Sequence, residues 1–138
     1  MMEKLEQQLK QHEGCVTTVY LCSENKQTIG YGRNLEDRGI TEDEALYLLR
    51  NDISAFTEQV KSNIDTSKCN PARKAVLINM AFNLGIAGLL NFKKTIAAIE
   101  AGKWETAAVE MLNSRWASQV GARADELAEQ MASGEWQL

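Results

Sequence analysis

One β-patterned stretch, set in a chain that otherwise repeats at helical spacing, limits the folds available. Residues 16–21 read VTTVYL, β-branched and aromatic, and residues 27–32 read QTIGYG. The intervening SENK at 23–26 is turn chemistry, so the two runs predict a hairpin. A two-stranded hairpin is marginal by itself in water and has to pack on something. Gly30 and Gly32 weaken a strand interior and point to a bulge or a close backbone approach.

The surroundings are helical. Met1, Leu5 and Leu9 recur at helical spacing and predict a short amphipathic helix over 2–11, which Gly14 breaks. Thr41 and Glu44 have the T-x-x-E spacing of a capping box, and the stripe Ala45, Leu48, Leu49, Ile53, Phe56 and Val60 predicts a long helix over 42–62. Asn70-Pro71 is a second start signal, with proline at the first helical position. The segment ARKAVLINMAFNLG is apolar on more than one face and predicts a buried central helix over 71–84, ending at Gly85. FKKTIAAIEAG, ending at Gly102, then WETAAVEMLNS, then ADELAEQMASG, ending at Gly134, predict three more helices.

The fold class is therefore α+β, mostly α: a small hairpin-bearing lobe beside a larger all-helical lobe, joined by the long helix. A cleft between such lobes is where extended polymers bind. With one proline and no low-complexity tract or repeat, the 138 residues read as a single domain. Residues from about 12 to 60 make the small lobe and connecting helix, and 1–11 join 61–138 in the helical lobe.

Charge and cysteine usage exclude several classes. A net charge of -4 lacks the basic excess of a nucleic-acid binder. The charge is uneven, however: Lys61, Lys68, Arg73, Lys74, Lys93 and Lys94 face only Asp65 in mid-chain, and this run suits either a solvated helix face or an anionic polymer. No run approaches the ~18 apolar residues of a membrane span, and the polar N-terminus lacks the apolar core of a signal peptide. Synthesis in a bacterial host cytoplasm is the expectation, without stable membrane insertion. Cys15, Cys22 and Cys69 make an odd set with no disulfide framework, and with His12 as the one histidine they form no zinc pattern. No metal or cofactor is expected.

Glycosidic cleavage needs an acid to protonate the leaving oxygen and a second group to attack or to activate water. Glu13 closes the first helix just before Gly14 and the hairpin, and partial burial there would raise its pKa as a general acid requires. One Glu among 19 acidic residues signifies nothing by itself, and Thr28 by itself is a β-branched strand residue.

The constellation carries more. E-G at 13–14, Tyr20 and T-I-G-Y-G at 28–32 are followed by INMAFNLG at 78–85 with Gly88 and Phe92, GKWETAA at 102–108, SRW at 114–116, ARA at 122–124 and G-x-W at 134–136. In that order, over nearly the whole chain, these motifs resemble the phage-type lysozymes of glycoside hydrolase family 24. That family carries a Glu, an Asp nine positions later and a Thr six positions after that, followed by I-G-x-G. Glu13 and Thr28 occupy the matching positions, and Cys22 stands where most relatives have Asp. Two further departures are visible. Only RNLEDRGI separates Gly32 from Thr41, where relatives often have a longer segment, and Arg33 replaces a frequent His, with any ion pair of that His altered or absent.

The resemblance implies a muramidase of the endolysin kind, acting on bacterial peptidoglycan as a monomer and reaching the wall after a membrane-hole-forming protein releases it. It implies Glu13 as general acid and Thr28 as a holder of the attacking water, with an inverting outcome. Three roles stay open for Cys22: base or positioner of water, nucleophile in a retaining route, or bystander. A free thiol is mostly protonated at neutral pH, and nearby Lys26 or Arg33 would lower its pKa. Glu24 in the turn is an alternative carboxylate or a solvated turn residue. Tyr20, Tyr31 and Arg33 on the hairpin and Asn83 on the central helix are candidate sugar contacts, Asn83 for an N-acetyl group. Arg115, Trp116 and Arg123 are expected to brace the large lobe, with Trp104 and Trp136 in its core. The competing class is a wall-binding relative in which Cys22 has cost the chemistry.

Overall fold

The computed structural model describes residues 2–138, so Met1 of the first helical stripe lies outside the described residues. The chain forms two compact units, one running through Leu48 and one from Leu49 to Leu138.

In the first unit, α1 (Met2–Glu13) leads into an antiparallel sheet of β1 (Val16–Leu21), β2 (Gln27–Gly30) and β3 (Arg33–Asn34) in that order. β1 and its turn lie where the sequence predicts them, but the second run divides. Gly30 and Gly32 both hold positive φ, at 72° and 78°, which turns the chain back on itself and adds β3 as a third strand. β1 pairs Val16 with Gly30 and Tyr20 with Thr28, four residues against two, so a bulge bends β1 between these pairs. A one-turn helix follows, α2 (Leu35–Arg38), also beyond the sequence expectation. Asn34 caps it by accepting the Asp37 N–H at 3.0 Å.

The capping box opens α3 (Glu42–Asn63): Glu44 N–H donates to Thr41 Oγ1 at 3.1 Å, and Thr41 N–H donates to Glu44 Oε1 at 2.9 Å. Arg33 adds a two-pronged tie to the same carboxylate, at 2.7 and 2.6 Å, and donates to the Gly39 carbonyl at 3.1 Å. Arg33 thus has an ion pair of its own in place of the His pairing that relatives suggest.

The second unit holds the later part of α3 and α4 (Pro71–Leu90), α5 (Lys93–Glu100), α6 (Trp104–Leu112), α7 (Arg115–Val120) and α8 (Ala122–Ser133). α4 starts as predicted, with Pro71 inside the first turn and the Asn70 side chain accepting from Arg73 N–H. Its helical backbone breaks at Gly85 (φ 77°, ψ 160°), and a second helical piece continues to Leu90. By length and composition alone α4 is apolar enough to cross a membrane, a test that the core helix of a globular protein also passes. Here its Val76, Leu77, Met80 and Ala81 are sealed in the core with Ile99, Met111 and Met131.

Polar anchors join the helices. Arg73 donates to the Met131 and Ala132 carbonyls at the end of α8 and lies 4.3 Å from the centre of the Trp104 ring. Arg123 donates to Asn79 on α4, the bracing expected of it. Trp116 is buried and meets Phe92 edge-to-face at 5.9 Å. Two expectations need correction. Trp136 is 56% exposed and lines an apolar groove with Ile53, Ile78 and Phe82, because the chain after Gly134 runs over the surface. Arg115 is exposed on α7 and braces nothing.

Candidate active site

Six of the seven candidate residues fall in the first unit, around β1 and β2; Asn83 belongs to the second. At the turn end of the hairpin, Cys22 N–H donates to the Lys26 carbonyl at 3.0 Å and Asn25 N–H to the Cys22 carbonyl at 2.8 Å. Asn25 takes a positive φ of 64°, which an asparagine tolerates, and so closes the turn.

The Cys22 thiol is accordingly held below its ordinary pKa, first by the backbone N–H of Lys26, then by that of Glu24, with the Thr28 hydroxyl adding to them. Partial burial and the charge of Glu24 oppose the shift. The agents differ from those the sequence suggests. Lys26 turns its ammonium to Asp37 at 3.6 Å, and Arg33 is committed to Glu44, so turn dipoles rather than cationic side chains favour the thiolate.

Thr28 sits opposite Tyr20 in the sheet and is 2% exposed. Its hydroxyl donates to the Lys26 carbonyl at 2.8 Å, across the turn from Cys22. Cys22 and Thr28 thus stand at the same end of the hairpin.

Glu13 is placed at the other end of β1, closing α1. A Cβ built on Gly32 would stand 2.8 Å from Glu13 Oε2, so the carboxylate rests against bare backbone, the close approach that a glycine here suggests. The Glu13 side chain is exposed, so the partial burial expected of it is not found. Lys10 on α1 stands 5.9 Å from the centre of the exposed Tyr31 ring.

Tyr31 and Arg33 line a surface pocket of about 720 Å³, shared with Ile29, Ile40 and Tyr47. Tyr47, 68% exposed, is the aromatic that the sequence analysis missed. Its signal was a ring lying off the apolar stripe of α3. Tyr20 is half-buried on β1. Asn83 accepts from Trp116 Nε1 at 2.8 Å, which ties α4 to α7 and occupies its carbonyl oxygen.

The family model of phage lysozymes matches residues 10–132. The chain belongs to the phage lysozyme family. It is 29% identical to the probable T4-type lysozyme 1 of Dictyostelium discoideum, over 97% of this chain and 96% of that protein. The alignment runs over 164 residues, longer than the chain itself, so the relative carries insertions that this family member lacks. A second Dictyostelium discoideum protein, probable T4-type lysozyme 2, is 32% identical over 59% of this chain and 45% of its own length. The pre-baseplate central spike protein Gp5 of Enterobacteria phage T4 is 32% identical over 64% of this chain and 16% of its own length. At the level of the family, this lysozyme is a peptidoglycan-directed glycoside hydrolase.

Proposed function

We propose that this lysozyme hydrolyses the β-1,4 bond between N-acetylmuramic acid and N-acetylglucosamine, with Glu13 as general acid and Cys22 in the place of the family's Asp. The observation that carries the proposal is the turn at 22–28, where the backbone N–H groups of Lys26 and Glu24 favour the charged form of Cys22. A thiolate there accepts a proton from the attacking water, while Glu13 donates its proton to the departing glycosidic oxygen. Tyr31, Arg33 and Tyr47 offer ring faces and donors to sugar, and Tyr20 supports the same sheet. Asn83 keeps its amide N–H₂ for an acetamido carbonyl. Lysis of the host wall, after synthesis in the cytoplasm and release by a membrane-hole-forming protein, belongs to the same proposal.

A second reading, wall binding without cleavage, is favoured by Thr28. Its hydroxyl is spent on the Lys26 carbonyl and is shut away from solvent, so it is not presented to a water.

Release of reducing ends from purified peptidoglycan under reducing conditions separates the two. The muramidase reading expects Glu13→Gln to lower turnover about 100- to 10,000-fold, the usual worth of a general acid. It expects Cys22→Ser to lose activity and Cys22→Asp to keep it. A native protein that is inert, while Cys22→Asp gains activity, establishes the binding relative.

A further inference from the structure

In the first unit, aliphatic side chains from three elements meet at one cavity instead of forming a core. The surface pocket of about 720 Å³ is lined by Ile29 of β2, Leu35 of α2, Ile40 beside the capping box and Leu48 of α3. None of the four is buried. The stretch from Gly32 to Thr41 is too short to cover them. After the single turn of α2, Gly39 takes a φ of 61° and the chain passes directly into the capping box of α3. Apolar surface gathered in a concavity, unlike single exposed residues, marks a place where something binds.

The charges around this pocket do not cancel. Arg33 and Glu44 both line it and satisfy each other at 2.7 and 2.6 Å. Arg38, in the last turn of α2, lines it as well, and among the described residues it makes no hydrogen bond or ion pair. The pocket therefore sets one uncommitted guanidinium beside an aliphatic surface, on a chain of net charge -4.

That pairing selects among ligands. A sugar hydroxyl laid against Ile29, Leu35, Ile40 and Leu48 would give up its water without finding a partner, which is costly. A hydrocarbon chain gains there by leaving water. A carboxylate matches the planar fork of a guanidinium. The ligand that satisfies both halves carries one anionic head on an apolar chain.

We propose that this pocket binds a fatty acid, with the acyl chain on the four aliphatic side chains and the carboxylate on Arg38. The rings of Tyr31 and Tyr47, which line the same pocket, close over the chain. An occupied pocket withholds those rings from glycan, so the fatty acid acts as a competitor. This last consequence alone rests on the muramidase reading.

Calorimetric titration of the full chain with octanoate, far below the concentration at which it forms micelles, tests the proposal, with butanoate and 1-octanol as companion probes. Saturable binding of octanoate is expected. Affinity should rise from butanoate to octanoate by up to about fourfold for each added methylene, the worth of burying one. Arg38 is exposed, so Arg38→Gln leaves folding unchanged. It is expected to weaken octanoate about tenfold, the worth of one hydrogen bond to a charged group, and to leave 1-octanol as it was. Tyr47→Ser is expected to weaken both. Absence of saturable binding overturns the proposal. So does an affinity that ignores chain length, octanoate binding unchanged in Arg38→Gln, or tighter binding of 1-octanol than of octanoate. No glycan cleavage enters the measurement, and Glu13→Gln is expected to bind octanoate like the native chain. Failure here therefore leaves the muramidase proposal standing, and a chain inert toward peptidoglycan leaves this one standing.

Discussion

The two units are held together by different means. Between residues 2 and 48 the one buried residue is Thr28, which is polar. In that unit the order comes from strand pairing, helix caps and the Arg33–Glu44 tie. The second unit closes over a continuous apolar core built on Leu77, Met80, Leu89, Ile99, Met111 and Met131. Apolar burial is the large term in stability, whereas hydrogen bonds and exposed ion pairs contribute modestly and are local. The proposed acid and thiol therefore sit on the unit that deforms more readily, and the helical unit supplies the fold's reserve. Segments with few buried apolar contacts are the ones that open first.

The comparison breaks most readily at Leu77. Leu77→Ala leaves a cavity where the side chain is fully buried, and is expected to cost ~2–5 kcal/mol in denaturant unfolding. A smaller loss would mean that the core of the helical unit is not its chief support. Next comes Asn70, whose side chain caps α4 and whose amide also reaches the Gly134 carbonyl at 2.8 Å. Asn70→Ala is expected to lower stability by about 1 kcal/mol, the usual worth of an N-cap.

The Arg33–Glu44 tie is expected to matter less than either, and in a definite pH window. Glu44 is lowered to about 2, first by the Arg33 guanidinium and then by the Thr41 N–H. A depressed carboxylate stabilises the fold fully above its unfolded pKa and loses that contribution as pH falls. The tie should be whole above the ordinary value of 4.5 and fade toward 2, and Glu44→Gln should flatten the melting profile over that interval. A variant as acid-sensitive as the native chain would show that other groups govern acid unfolding.

The gentlest perturbation is chemical. Alkylation of Cys22 is expected to become fast at a lower pH than that of a free thiol, because turn N–H groups stabilise its thiolate. Cys69, buried in the helical unit and pushed up by that burial, should react last. Peptide mapping after a timed pulse, in a Cys15→Ser background, reads the order directly. Equal rates would remove the electrostatic distinction drawn between the two thiols.

Long periodic segments were legible in the sequence, since an apolar stripe and a cap act over many residues at once. α3 and α4 begin where Thr41, Glu44, Asn70 and Pro71 say they should. β3, α2 and α7 were not, because two, four and six residues are too few to show a period. Of the site, the positions of Glu13, Cys22 and Thr28 follow from the family pattern, but the source of the Cys22 shift does not. Lys26 and Arg33 are close to Cys22 in sequence, yet each is claimed by a carboxylate eleven residues further along. The direction of a backbone N–H in a four-residue turn leaves no trace in residue identity. Trp136 failed for a related reason: a large ring says what could be buried, and the path of the chain after Gly134 decides whether it is.

The contact between Gly32 and Glu13 bears on how a mutational map of this chain would look. Any side chain at position 32 meets the far end of a flexible carboxylate, which can swing away, and it also inherits a positive φ of 78°. The sheet bears the backbone strain, and the displaced acid bears the rest. In a saturation screen scored by clearing of cell walls, position 32 would behave like a member of the reacting set while carrying no functional group. Screens scored by expression would pass many of the same variants, and the gap between the two scores would mark where the acid is meant to stand.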